Sequence, residues 1–293
     1  MRSWLFVPGD SARKQEKCLE AGADALILDL EDSVAHSEKP TARMMTREFI
    51  AKLKNSTASR PKLYVRVNDL STGMTDEDIA GVMAAAPDGI MLPKAVGGKD
   101  LAEVDRRLSA AEARFGHASG STRIIPVATE TAAAVLALHT VSGSTERLVA
   151  LTWGGEDLAA DIGAEANSEP GGGYTQPYLV ARSLALFAAV ASGVDPIDTA
   201  FINYMDTAKF EEDCRISRRD GFVGRIAIHP SQVAVINRMY TPSQKVLDRA
   251  AKIIDAFDSN PGLGVVGIDG EMIDYPHYRQ AQRILKRMQS LRS

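Results

Sequence analysis

Carboxylates recur just beyond short apolar runs in this chain, and their placement suggests a shared task. Asp29, Glu31 and Asp32 follow one run in Leu28-Asp-Leu-Glu-Asp-Ser33, Glu130 follows another, and Asp157 follows a third in Thr152-Trp-Gly-Gly-Glu-Asp-Leu158. Two cations hold similar places: Arg66 in Tyr64-Val-Arg-Val-Asn68, and Lys94 after Pro93. Acids drawn from separate strand ends repel one another and need a cation, and oxygen ligands completed by water are what a hard, octahedral Mg²⁺ accepts. Arg66 presents a rigid fork of donors that can grip a carboxylate in two parallel hydrogen bonds, so the substrate is expected to carry one. Gly154 and Gly155 admit close approach of backbone N–H groups. If a helix begins at Glu156, the amides of residues 154–157 make a second cradle for the same acid.

Each residue also has a plainer use. Asp157 fits an N-cap before Leu158, Glu130 could cap the helix that follows it, and Arg66 could belong to a barrel ion pair. Lys94 could be a Schiff-base nucleophile, although a structural or electrostatic lysine is the commoner case. Taken together they point to one mouth, because structural ion pairing does not require every partner to sit at the same end of the sheet.

The elements that must position them follow a βα alternation. Apolar runs at residues 3–7, 25–29, 63–67, 89–92, 123–127, 148–152, 197–201 and 225–228 are each followed by a loop and a stretch of helical period. Eight such units fit a closed (β/α)₈ TIM barrel, an α/β fold whose active site forms at the C-terminal strand ends. Residues 11–21, with Ser11 as cap, and 131–140 are expected helices, and the glycines at 171–173 a mobile loop. Beyond His229 the pattern changes: a helix over 241–257, a glycine-rich turn over 260–270 and a basic helix over 276–291. The expected division is a catalytic barrel over 1–240 and a small C-terminal helical lid over 241–293.

Bulk properties narrow the class. The 293 residues suit one barrel with an appendage, and 45% hydrophobic with 25% charged residues is ordinary for a globular chain. A net charge of -4 gives no footprint for nucleic acid. Cys18 and Cys214 lie far apart without metal-ligand spacing and are expected to be reduced thiols. The apolar run at the N-terminus, residues 4–7, is too short for a secretory or membrane segment, so no membrane partner and a cytoplasmic location are expected.

With these residues in view, the chain resembles the citrate lyase beta-subunit family, which includes malyl-CoA and citramalyl-CoA lyases. The likeness runs over nearly the whole chain. It is carried by Arg2-Ser-Trp-Leu-Phe-Val-Pro-Gly9, Leu28-Asp-Leu-Glu-Asp-Ser-Val34, Val65-Arg-Val-Asn68, Leu92-Pro-Lys94, Gly155-Glu-Asp-Leu158, Gly221-Phe-Val-Gly-Arg-Ile-Ala-Ile-His-Pro-Ser-Gln232 and Asp269-Gly-Glu-Met-Ile-Asp274. The resemblance implies a Mg²⁺-dependent carbon–carbon lyase acting on a CoA thioester. Glu130 and Asp157 would be direct ligands, Glu31 and Asp32 would hold metal-bound waters, and Arg66 would bind the keto acid with Glu130, Gly154, Gly155 and Glu156 around it. Asp274 would act as acid or base over a neighbouring subunit's site, which implies a homo-oligomer, a trimer or hexamer. Contacts to CoA phosphates would come from the first βα segment, where Arg13, Lys14 and Lys17 are available, unless these form a solvated helix face. The entry Trp153-Gly154-Gly155 departs from the family's usual aromatic-glycine-alanine. The readings left beside the lyase are a malyl-CoA thioesterase or malate synthase-like activity, a CoA-free class II pyruvate aldolase, and a non-catalytic binding subunit.

Overall fold

The structure, a computed structural model, describes residues 1–57, 59–170 and 172–292. Its first unit carries eight parallel strands: β1 (Ser3–Pro8), β2 (Ala25–Asp29), β3 (Lys62–Arg66), β4 (Gly89–Leu92), β5 (Arg123–Pro126), β6 (Ala150–Leu151), β7 (Asp195–Asp198) and β8 (Gly224–Ala227). They pair in the order β5-β4-β3-β2-β1-β8-β7-β6. Parallel bridges from Ile124 to Leu148 and from Val127 to Thr152 join the two ends, closing the sheet into a barrel with no free edge.

Alternation along the strands decides what fills that barrel. Trp4, Ile27, Tyr64, Met91, Ile125, Ile197 and Ile226 turn inward and form one buried cluster. The rings of Trp4 and Tyr64 meet at 5.0 Å. Gly89 makes room for them, since a Cβ there would fall 2.3 Å from the Tyr64 ring. Nine helices of this unit clothe the outside: α1 (Ala12–Lys17), α2 (Lys39–Lys54), α3 (Thr75–Met83), α4 (Gly97–Phe115), α5 (Ala132–Ala137), α6 (Glu156–Ile162), α7 (Gln176–Ala191), α8 (Thr207–Asp220) and α9 (Pro230–Met239) among the described residues. In α4 the buried Leu101, Val104, Leu108 and Ala111 keep the three- and four-residue spacing that lays one stripe on the sheet.

Several expectations shift in register. The seventh strand, expected at 197–201, lies at Asp195–Asp198. Asp195 and Pro196 look like turn residues, yet they pair with Ala150 and Leu151, and the Pro196 carbonyl accepts from the Val223 N–H. The expected helix at 11–21 is α-helical only to Lys17 and continues as a 3₁₀ turn, Cys18–Ala21, and Ser11 holds the N-cap position without a side-chain bond. Thr131, by contrast, caps α5 by accepting from the Ala134 N–H at 3.0 Å. Of the glycines expected in a mobile loop, Gly171 lies outside the described residues. Among the described residues of this stretch, the Glu169 N–H donates to the Gly173 carbonyl and the Thr175 N–H to the Asn167 carbonyl. Cys18 and Cys214 are free and buried.

The chain divides into two compact units, Met1–Asn237 and Arg238–Ser293. The second contains α10 (Gln244–Asp258), β9 (Val265–Ile268), β10 (Glu271–Asp274) and α11 (Tyr275–Arg292). Its core is Ala250, Ile253, Phe257, Val266, Ile268, Ile273 and Ala281. The stretch 260–270, expected as a turn, thus contributes a strand to an antiparallel hairpin. Asp269 and Gly270 both have positive φ, 53° and 82°, the backbone that a tight two-residue hairpin loop requires. Among the described residues, no helix is long and apolar enough to cross a membrane.

Candidate active site

Asp29 and Arg66 end adjacent strands and are register partners. Arg66 Nε and Nη2 donate to Asp29 Oδ1 and Oδ2, both at 2.7 Å. Burial disfavours the Asp29 anion, but the bonds and charge of Arg66 outweigh it and hold this carboxyl below the usual range. The backbone N–H groups of Glu31 and Ser33 also donate to Asp29, so this acid shapes the turn that presents Glu31 and Asp32. From the other side, Lys39 Nζ donates to the carbonyls of Leu30 and Glu31. The Arg66 fork, expected to hold a substrate carboxylate, is therefore occupied by Asp29. What remains is Nη1, 2.8 Å from Glu31 Oε2 and 3.5 Å from Asp32 Oδ2.

Just past β4, Lys94 adopts φ 51°, a left-handed conformation uncommon for a residue with a Cβ. This turn aims its backbone N–H at the Glu130 carboxylate. Its Nζ lies 2.5 Å from Glu31 Oε1, 3.5 Å from Asp157 Oδ1 and 4.0 Å from Asp32 Oδ2. Burial opposes the ammonium, but Glu31 outweighs it and shifts the pKa upward, the reverse of what a Schiff-base nucleophile needs. Lys94 is the electrostatic hub of the mouth.

The plainer uses of Glu130 and Asp157 do not occur. Thr131 caps α5, and Gly155 stands at the N-cap of α6, leaving Glu130 and Asp157 to face the mouth. Glu130 is 3% exposed. Burial, with Asp157 and Glu31 adding to it, pushes its carboxyl up to about 8 against the opposing Lys94 N–H and charge. Gly154 is needed where it stands: a Cβ there would lie 2.7 Å from Glu130 Cγ. Its N–H donates to Thr129 Oγ1 at 3.1 Å rather than contributing to an open amide cradle. Glu156 accepts from Asn167 Nδ2 at 2.6 Å.

These groups surround a cavity of about 130 Å³ lined by Phe6, Arg66, Glu130, Trp153, Asp157 and Tyr174 among others. Trp153 is pinned by its indole N–H, which donates to Asp198 Oδ1 at 2.6 Å, and it meets the Tyr174 ring edge-on at 5.0 Å. Burial works against the Asp198 anion, but Arg225 and Arg182 prevail and bring its carboxyl down to about 2.

The donor set fits a hard divalent cation. Glu130 is a buried acid without a full counter-charge, and the buried Glu31 Oε2 accepts no hydrogen bond among the described residues despite its nearness to Arg66. No ready cage of three acids, histidines or cysteines exists among the described residues. A cation such as Mg²⁺, which takes one or two carboxylates and keeps several waters, does not require one.

Residues 2–230 match the model of the HpcH/HpaI aldolase/citrate lyase family. The chain belongs to this family. The HpcH/HpaI membership makes it an enzyme of the lyase kind. Citrate lyase subunit beta of Leuconostoc mesenteroides subsp. cremoris is 31% identical over 97% of this chain and 92% of its own. The mitochondrial citramalyl-CoA lyase of Rattus norvegicus is 31% identical over 97% of this chain and 85% of its own. Among solved structures, CitE from Mycobacterium tuberculosis in complex with magnesium, acetoacetate and coenzyme A is 29% identical, covers 98% of each chain and superposes with a TM-score of 0.78.

Of the residues singled out in the sequence of this HpcH/HpaI protein, the fold gathers Glu31, Asp32, Arg66, Lys94, Glu130 and Asp157 at one mouth. Gly154, Gly155 and Glu156 line the same cavity. Arg13 and Lys17 lie on the exposed face of α1, outside the cavity lining. Asp274 belongs to the second unit, where its Oδ1 lies 2.5 Å from His277 Nδ1. Sequence reasoning missed His277, Lys39, Phe6 and Tyr174. None carries a local signal, although the three-residue step from Asp274 to His277 on one helical turn was available.

Proposed function

We propose that the chain is a Mg²⁺-dependent lyase that cleaves a 3-hydroxy-3-carboxy acyl-CoA to acetyl-CoA and an α-keto acid. The observation that carries this reading is the convergence of Glu31, Asp32, Glu130 and Asp157 on one mouth whose own cations, Arg66 and Lys94, are already paired with acids. That mouth suits a divalent ion together with an anionic substrate. The mitochondrial citramalyl-CoA lyase and the magnesium- and coenzyme A-bound CitE give the reading its substrate class.

Glu130 and Asp157 would hold the ion directly, and Glu31 and Asp32 would orient its waters. When bound, Mg²⁺ acidifies the substrate hydroxyl and balances the charge of the keto acid. Arg66 Nη1, fixed by the Asp29 clasp, draws the substrate carboxylate into line, and the first-turn amides of α6 flank it. Passage of the hydroxyl proton to a water at the mouth lets the carbon–carbon bond break: its electron pair passes to the thioester α-carbon, and the keto acid forms at the old hydroxyl carbon. Asp274 delivers a proton to that α-carbon, giving acetyl-CoA. In the synthetic direction it removes the same proton.

Asp274 would serve the site of a neighbouring subunit in a homo-oligomer, a trimer or hexamer. Val180 and Phe187 on α7, both exposed, and Leu136 on α5, 79% exposed, supply apolar surface suited to association. Arg13 and Lys17 are the cations offered to CoA phosphates, and the location is cytoplasmic.

The test is a coupled assay for acetyl-CoA and keto acid release from malyl-CoA, citramalyl-CoA and citryl-CoA, with Mg²⁺ and with chelator. Chelator-sensitive release from one of them supports the lyase. Free CoA with no acetyl-CoA indicates thioester hydrolysis, and cleavage of CoA-free hydroxy-keto acids indicates an aldolase.

A further inference from the structure

Asp274 ends β10, immediately before α11, and in the cleavage above it gives its proton to carbon. The carboxylate left behind must regain a proton before it can act again. His277, on the first turn of α11, is placed to supply it: its Nδ1 lies 2.5 Å from Asp274 Oδ1, and its side chain is 46% exposed to solvent. The surrounding polar groups are engaged elsewhere. Glu271 pairs with Arg249 and Asp269 with Lys252, the Tyr278 hydroxyl donates to Asp258 at 3.2 Å, and Arg279 lies over the Tyr275 ring at 5.7 Å. The imidazole is thus the partner that the fold gives the Asp274 carboxyl. Imidazole is also the side chain whose ordinary protonation change falls near neutral pH, which suits it to pass a proton between solvent and a second group. The Asp274 backbone N–H donates to the same Nδ1 at 3.3 Å. That contact has a structural use, since a side chain three residues into a helix that accepts the N-cap N–H completes a capping box. The two contacts alternate: Nδ1 without a proton accepts from the backbone, and with one it donates to Oδ1.

Resting on the lyase reading above, we infer that His277 is the proton relay of Asp274. After Asp274 has protonated the thioester α-carbon, the Nδ1–H bond of the imidazolium breaks, an O–H bond forms on Asp274 Oδ1, and the neutral ring regains its proton from solvent. One proton per turnover passes in this way from solvent to the α-carbon, which balances the hydroxyl proton released to water at the mouth. In the synthetic direction the same path carries the proton out. His277 acts through Asp274 and is a positioning residue with a charge of its own to give.

The test uses the full chain with Mg²⁺ and the thioester that it cleaves in the coupled assay. Glutamine serves a capping box but relays no proton, so His277→Gln separates the two uses of the side chain. Its kcat should fall about tenfold while KM and the thermal midpoint stay near the parent values. In His277→Ala, imidazole added to the buffer should raise kcat about tenfold, in proportion to its concentration until the parent rate is approached, and it should leave Asp274→Asn unmoved. A kcat of His277→Gln equal to that of the parent overturns the relay. So does a loss in His277→Ala that imidazole does not relieve, because a helix cap alone is indifferent to a free proton carrier. The parent chain separates this inference from the reading beneath it: if it cleaves no thioester, the lyase reading fails and the relay with it, whereas a cleaving parent with either of those variant results sinks the relay alone.

Discussion

The barrel mouth and the C-terminal unit present their acids in opposite ways. At the mouth the three buried acids are caged, and they position the more open Asp32 and Asp157. Asp29 is clasped by Arg66, Glu31 by Lys94 and Arg66, and Glu130 lies against the Lys94 N–H and the bare backbone of Gly154. In the smaller unit Asp274 stands at the end of a hairpin with its side chain 38% exposed, and its partner is His277 one helical turn on. Met272, 70% exposed, and Tyr275, 54% exposed, flank it. A caged acid is suited to fixed electrostatics, because its position and charge do not reorganise during a reaction. An exposed acid on a small unit is suited to being brought to a site and to exchanging a proton.

Substitutions can break that contrast, beginning with the largest effect. Glu130→Gln keeps the shape of the cage and removes its ion-holding charge. Turnover should fall about a thousandfold or more, and Mg²⁺ should no longer raise the thermal midpoint, as a melting series with and without Mg²⁺ would show. Asp274→Asn should act differently: kcat should fall about a hundredfold or more while KM and calorimetric Mg²⁺ affinity stay near the parent values. If Asp274 only starts α11, turnover in this variant will be nearly intact, and the proton-transfer role is lost.

Smaller effects sharpen the comparison. Gly154→Ala sets a methyl group against Glu130 and should weaken Mg²⁺ binding roughly tenfold to a hundredfold by titration, with the C-terminal unit untouched. Mg²⁺ affinity should also follow pH through the same acid. With the Glu130 carboxyl pushed up to about 8, the metal-free site is protonated below that value, and ion binding must expel the proton. Apparent affinity should therefore fall by up to about tenfold for each unit that pH drops below 8, and level off above it. A Mg²⁺ affinity of the parent protein that stays flat between about pH 6 and pH 8 would break the link to this residue.

Much of the barrel was legible because its signals are local. A β-branched or apolar run followed by an acid or a cation marks a strand end whether or not its neighbours are known, and Glu31, Asp32, Arg66, Glu130 and Asp157 were found that way. Strand β7 was misplaced because Asp195-Pro196 carries turn chemistry and is drawn into the sheet by pairing with β6. The β9–β10 hairpin was passed over as a glycine-rich turn, though Asp269-Gly270 between Val266, Ile268 and Ile273 is a hairpin signal in its own right.

The sequence by itself determined the eight-unit alternation, the acids at the strand ends, the small residues beside them and the family to which the chain belongs. Each depends on residue type and near spacing, which the chain carries in one dimension. Tertiary structure alone decided how those groups share one another. The register of β2 against β3 gives Asp29 the Arg66 fork, and the left-handed turn at Lys94 aims its amide at Glu130. Packing leaves the buried Thr152 hydroxyl without a hydrogen-bond partner among the described residues. Ion pairs and orphaned groups are properties of distance between residues far apart in the chain, and distance is fixed only when the barrel closes.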